Sequence, residues 1–339
     1  MSIRRTLVPL TALAALAACS ETATNPVAPQ QISAPDVASL SSSANDALHG
    51  HVMHTRPVQL EASKNAGSGG SGTGIYYHGG PVLQAATNVA SVYWASSPIY
   101  VNGPAAGSTG TGTGDGSLVG TFLRGLGGSA YFNINTTYTN GAGVHIANVV
   151  NYTQFWANNT SVPASGASVS DAQMIAMLQS AFDGGKLTYD PSTLYAIFTA
   201  GTVNLGGGFG TQYCAYHTHG TVTVGGVSKT VLYAAMPYNY AYPSACTSGY
   251  AAANGSYDKG ADYEVNTFVH EIEETTTDMM GTAWYDRRGY ENGDKCAWTW
   301  GTTYTSAAGG VANVNIGGKD FLVQQNWKNS GTGGCALHL

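Results

Sequence analysis

The sequence predicts a mixed α/β fold, in which helices pack on a mixed β-sheet and a glycine-rich, loop-dominated part closes the chain. Three observations predict it. Short β-branched and aromatic runs alternate with segments of helical period. Two apolar runs flank Gly225-Gly226, the signature of a hairpin. The stretch around His270 places its apolar residues at helical spacing, so its polar groups ride on a helix held against a sheet.

In chain order, Val89 to Trp94 reads as a strand. Ser117 to Leu126 reads as a short helix, because Leu118, Phe122 and Leu126 recur at fourfold spacing. Val144 to Tyr152 reads as a strand. Ser170 is an N-cap, and Met174, Ile175, Leu178 and Phe182 form the apolar stripe of a helix that stops at Gly184-Gly185. Leu194 to Thr199 is a strand entered from Pro191. Thr221 to Val224 and Val231 to Met236 form the hairpin. A helix covers Asp262 to Asp278, and a last strand lies near Phe321-Leu322-Val323. Residues 75–339 are read as one domain of 265 residues.

The N-terminus reads differently. Arg4 and Arg5 precede an apolar run from Leu7 to Ala18 that is too short to span a bilayer and has the length of a signal peptide core. It ends Leu16-Ala17-Ala18-Cys19, the pattern of a lipobox. Residues 1–18 are therefore expected to be a lipoprotein signal peptide, with Cys19 as the lipidation site and the membrane as a partner through that lipid. Ser20 follows where an Asp would mark inner-membrane retention, so the expected location is the outer membrane or cell surface. From residue 19 to 74 the chain is rich in Ala, Ser, Thr, Pro and Gly, and is expected to be a disordered tether.

The chain holds 13 basic and 19 acidic residues, and loss of Arg4 and Arg5 with the leader leaves 11 against 19, a net charge of −8. Nothing in that balance favours nucleic acid. Four cysteines remain beyond Cys19, an even count suited to an oxidising compartment. Of the pairings open to them, the sequence-nearest, Cys214–Cys246 and Cys296–Cys335, is favoured.

Chemistry concentrates in Phe268-Val269-His270-Glu271-Ile272-Glu273-Glu274. On a helix His270 and Glu274 share a face, as the two histidines do in the H-E-x-x-H zinc helix, and Glu271 holds the position of the water-activating base. A catalytic ion needs a third protein ligand. Asp294, twenty residues beyond Glu274, and Glu291 are the two candidates; His217 and His219 form a further pair on an extended segment. The likeness to the zinc helix makes zinc the expected ion, while one histidine with two carboxylates is a harder set than the usual zinc one, so manganese and calcium stay open.

Beyond these residues the chain resembles the EXORDIUM, or phosphate-induced protein, family of secreted plant and microbial proteins. The likeness rests on Tyr77-His78-Gly79-Gly80-Pro81-Val82-Leu83, the strand ending in Trp94, Cys214-Ala215-Tyr216-His217, His270 to Glu274, Ala283-Trp284-Tyr285, Glu291 to Cys296, Leu322 to Gln325 and Trp327. It spans roughly Gly74 to Cys335 and implies a secreted or surface protein, associated in plants with growth and wall expansion; it implies no particular reaction. The lipobox, the tether and the fewer cysteines depart from many plant members.

Two functions follow as expectations. The first is a zincin-like, metal-dependent hydrolase in which His270, Glu274 and Asp294 or Glu291 hold the ion and Glu271 deprotonates its water for attack on an extracellular peptide or ester. The second is a non-catalytic surface module for wall glycan or a protein partner, with a structural metal site. The 21 tyrosines and 6 tryptophans supply stacking faces for it.

Overall fold

A computed structural model describes residues 52–65 and 74–339. Its centre is a seven-stranded mixed sheet of order β1-β7-β8-β6-β3-β5-β4. The strands are β1 (Val52–His54), β3 (Thr87–Trp94), β4 (Thr109–Thr111), β5 (Val150–Trp156), β6 (Thr193–Thr199), β7 (Tyr213–Val224) and β8 (Val227–Met236). A small pair joins β2 (Tyr76–Tyr77) to β9 (Trp284–Tyr285). The inner strands β8, β6, β3 and β5 run parallel, while β7, β1 and β4 pair antiparallel at the two sides.

The inner strands are largely apolar where both of their faces are covered, as in Leu194 to Phe198 of β6 and Val231 to Met236 of β8. Side-chain alternation splits them between two cores. Val89, Tyr93, Leu194, Ala196, Phe198, Leu232 and Ala234 point into one, where α2 (Leu118–Leu126) and α5 (Lys259–Thr277) lie. Ala90, Val92, Trp94, Tyr195, Ile197, Tyr233 and Ala235 point into the other, against Met174, Met177 and Leu178 of α3 (Asp171–Asp183). The expected N-cap holds, with Ser170 forming a capping box with Gln173, and Ser117 also caps its helix by accepting from Gly120 N.

The hairpin is longer than its apolar runs, because polar residues such as Lys229 and Thr230 pair across the ladder. At its tip Gly225 and Gly226 both have positive φ, 60° and 75°, as a two-residue turn of matching twist requires. The strand expected over 144–152 is shifted to Val150–Trp156. Asn140 Oδ1 accepts from Ala142 N and Val144 N, and Gly143 has φ 75°, so a turn occupies the first half of that stretch. The C-terminal strands are short hairpins outside the main sheet: β10 (Tyr304–Thr305) with β11 (Val311–Ala312), β12 (Val314–Ile316) with β13 (Lys319–Phe321), and β14 (Asn326–Lys328) with β15 (Gly334–Ala336).

The disordered tether expected over 19–74 is corrected at 52–65. Val52–His54 pairs with β7 as β1, and Arg56–Asn65 forms the helix α1. The reason is local: Val52 and Met53 are 4% and 0% exposed, filling the core beside an otherwise open edge of β7. Arg56 then donates to Ser248 O and Ser244 O, at 3.0 and 2.9 Å. The signal peptide, Cys19, the tether up to residue 51 and the glycine-serine stretch 66–73 lie outside the described residues.

Both disulfides form as favoured. Cys214–Cys246 ties β7 to the short helix α4 (Pro243–Cys246), and Cys296–Cys335 ties the loop after β9 to β15. Each closes a loop of 32 or 39 residues, which the chain-entropy account values at about 4 kcal/mol.

A candidate metal centre

Three segments meet beneath β7. The first is α5, capped at Asp258 by a bond from Ala261 N and held by Ala261, Val265, Phe268, Val269 and Ile272 in the core. Its polar face is buried too: His270, Glu271, Glu273 and Glu274 are all 0% exposed. The second is β7, where alternation puts His217 on the same face as Ala215, towards α5. The third is the loop Glu291–Cys296, anchored by the Cys296–Cys335 disulfide and by Lys295, which lies 4.3 Å over the Trp327 ring.

The side chains converge. His270 Nε2 lies 3.0 Å from Glu274 Oε1 and 3.6 Å from Asp294 Oδ1. His217 Nδ1 lies 3.1 Å from Glu271 Oε2 and 3.6 Å from Glu274 Oε2, and its Nε2 is 3.8 Å from Glu291 Oε2. Ligands about 2.1 Å from a tetrahedral ion sit about 3.4 Å apart, so these separations suit a cation. Two groups, His270–Glu271–Glu274 and His217–Glu274–Glu291, each offer ligand atoms within 4.8 Å of one another. The sequence left Asp294 and Glu291 as alternatives; the fold brings both in, one beside each histidine. His219 shares the strand face of His217 but belongs to neither group.

The surroundings orient these ligands. His270 Nδ1 lies 3.2 Å from Gln324 Oε1, while Gln324 Nε2 donates to Gly293 O at 2.8 Å. Gln324 thus presents its acceptor to the imidazole, which places the proton on Nδ1 and turns the Nε2 lone pair towards Glu274 and Asp294. Asp294 accepts from Glu291 N through Oδ2 at 3.2 Å, and its own N–H donates to Glu274 Oε1 at 2.9 Å. Gly293 is needed for space, since its φ of −68° is ordinary. A Cβ there would lie 2.8 Å from Glu274 Oε1 and 2.9 Å from His270 Nδ1. Gly293→Ala is therefore expected to cost about 1–3 kcal/mol and to weaken metal binding. Urea unfolding with a metal titration checks this, and a variant with unchanged stability and affinity would show that the loop can step back freely.

Burial dominates the electrostatics. Glu274, Glu291 and Asp294 are all held well above the usual carboxylate range by burial first; the charge of Glu271 adds to this at Glu274, and the charge of Glu274 adds to it at Glu291 and Asp294. Burial pushes Glu271 up to about 8, opposed by His270 and by the backbone N–H groups of Met53 and His217. His217 is pushed the other way, down to about 3, by burial first and by His270 second. A neutral His217 cannot neutralise these acids, and Lys295 is committed to Asp286 at 3.4 Å. His270 Nε2, Glu271 Oε1 and Glu274 Oε2 are buried with no hydrogen-bond partner. Buried charge on this scale calls for a counter-ion or for protons. The donor set, imidazole nitrogens with carboxylate oxygens, suits a divalent metal.

Glu273 takes no part. It faces Tyr131, whose hydroxyl donates to its Oε2 at 3.3 Å, on the side of Asn135 and Asn326. Sequence reasoning missed the contribution of Met53, whose N–H caps Glu271 from a segment of tether-like composition. No periodicity marks a three-residue strand, so nothing short of the fold reveals it.

No family model, no curated protein and no solved structure matches this chain. Its buried histidine and carboxylate groups could hold a metal ion.

Proposed function

We propose that this chain is an exported, non-catalytic surface module whose domain closes around a divalent-metal centre. One observation carries the reading: His217, His270, Glu271, Glu274, Glu291 and Asp294 are each no more than 1% exposed. A catalytic ion needs an open coordination position and room for substrate, whereas a structural ion is enclosed by protein. Met53, 0% exposed on β1, helps to close the site. Two disulfides suit an oxidising compartment, in keeping with export and lipid attachment at Cys19. The glycan reading is supported by aromatic pairs that include exposed rings: Tyr240 lies on Tyr263, and Tyr250 meets Trp300 edge-on.

The zincin-like hydrolase is the second reading, favoured by Glu271 standing beside His270 with its Oε1 unbonded. In that reading His270, Glu274 and Asp294 hold the ion, which supplies Lewis acidity, and Glu271 takes the proton. Glu271→Gln separates the two. The module keeps both its metal and its retention on wall glycan, whereas a hydrolase keeps its metal and loses turnover of peptides or esters. Elemental analysis of the purified protein tests what the two share, and less than about a tenth of an equivalent of divalent metal after loading, against the full occupancy of a structural site, would rule out both.

A further inference from the structure

The metal-centre reading assumes a single ion, but the geometry supplies donors for two. Glu274 stands between the histidines: its Oε1 lies 3.0 Å from His270 Nε2, and its Oε2 lies 3.6 Å from His217 Nδ1. Each histidine has its own carboxylate from the 291–296 loop, Asp294 beside His270 and Glu291 beside His217. The two groups of converging ligand atoms share Glu274. A carboxylate whose oxygens face different ions is how paired metals about 3.5–4 Å apart are joined.

Charge balance points the same way. Four carboxylates, Glu271, Glu274, Glu291 and Asp294, are buried here with two imidazoles. Ionised, they carry four negative charges; one divalent ion leaves two uncompensated inside the protein, and two ions leave none. An uncompensated buried charge is costly enough that the protein would take up protons instead. Glu274 Oε2, the oxygen aimed at the second position, is fully buried and accepts no hydrogen bond.

We propose that Glu274 bridges two divalent ions, one held with His270 and Asp294 and the other with His217 and Glu291. The inference rests on the metal-centre reading and adds a second ion to it. Glu271, accepting from His217 Nδ1 at 3.1 Å, holds the proton on that nitrogen and leaves Nε2, 3.8 Å from Glu291 Oε2, as the ligand atom for the second ion.

The probe is Mn²⁺ loaded into the full-length chain, read by elemental analysis and by electron paramagnetic resonance. The expected result is two equivalents per chain with an exchange-coupled spectrum. His217→Gln and, independently, Glu291→Gln should each lower the content to one equivalent and restore the six-line spectrum of an isolated ion. One equivalent in the unaltered protein, or two without exchange coupling, would overturn the bridge while leaving a mononuclear centre standing. No bound metal at all would overturn the mononuclear reading as well. Should either variant fail to fold, the coupling in the unaltered chain decides alone.

Discussion

At pH 8, the metal-free protein is expected to melt about 8–16 °C below the metal-saturated one. A ligand present at about a thousand times its dissociation constant adds about 4 kcal/mol to stability. In a domain of this size each kcal/mol moves the melting temperature by about 2–4 °C. The difference should widen with pH. Glu264, remote from the centre and bonded to Asn239, and Glu271 within it are both raised to about 8 by burial. A carboxyl raised in the folded state contributes stability that is complete below its ordinary value of 4.5 and is lost as pH climbs through 8. His217, lowered from 6.5 to about 3, works in the opposite sense, adding stability as pH rises through that interval and nothing beyond it. Above pH 6.5 the carboxyls act alone, so the metal-free protein loses stability steadily towards pH 8. Bound metal holds the site carboxylates ionised and removes their share of that slope, leaving Glu264 and Glu273. Calorimetry of chelated and reloaded protein at pH 6.5 and 8 measures both effects. Equal melting temperatures, or parallel slopes, would mean that no ion occupies the centre.

Glu274→Gln should reverse its sign with metal. In the metal-free protein at pH 8 the substitution removes a fully buried acid that lies against Glu271, and is expected to raise the melting temperature by a few degrees. With metal present the variant keeps one oxygen where the carboxylate turns one to each histidine, forfeits the ion's contribution and should melt about 8–16 °C below the unaltered protein. A merely structural carboxylate has no reason to show this crossover. Destabilisation of the same size in both states would identify Glu274 as a packing residue and remove it from the ligand set.

Much of the centre was legible before the fold was known. The i, i+4 spacing of His270 and Glu274 implies one helix face, and Lys259–Thr277 is helical. The expected disulfide puts a fixed point two residues from Asp294. Glu273 looks equal to its neighbours in a run of acids, yet its place on the helix turns it towards Tyr131 and away from the histidines. A linear run does not say which acids gather, because angles around a helix acquire meaning only when its surroundings are known.

The sequence by itself determined the mixed α/β class, the helix that carries the acids, the cap at Ser170, the glycine turn and the cysteine pairing. All of these depend on contacts between near neighbours, or on spacings that the backbone repeats. Only the tertiary structure decided that His217 and Glu291 join His270 and Asp294, that Gly293 leaves room for them, and that Met53 helps to close the site. His217 and Glu271 are 54 residues apart in the chain and 3.1 Å apart in the fold. Strand order and the packing of α5 under β7 bring them together, and no local propensity encodes sheet order. The burial that now favours an enclosed ion over an open catalytic one has the same origin: exposure belongs to the assembled layers, and no single segment carries it.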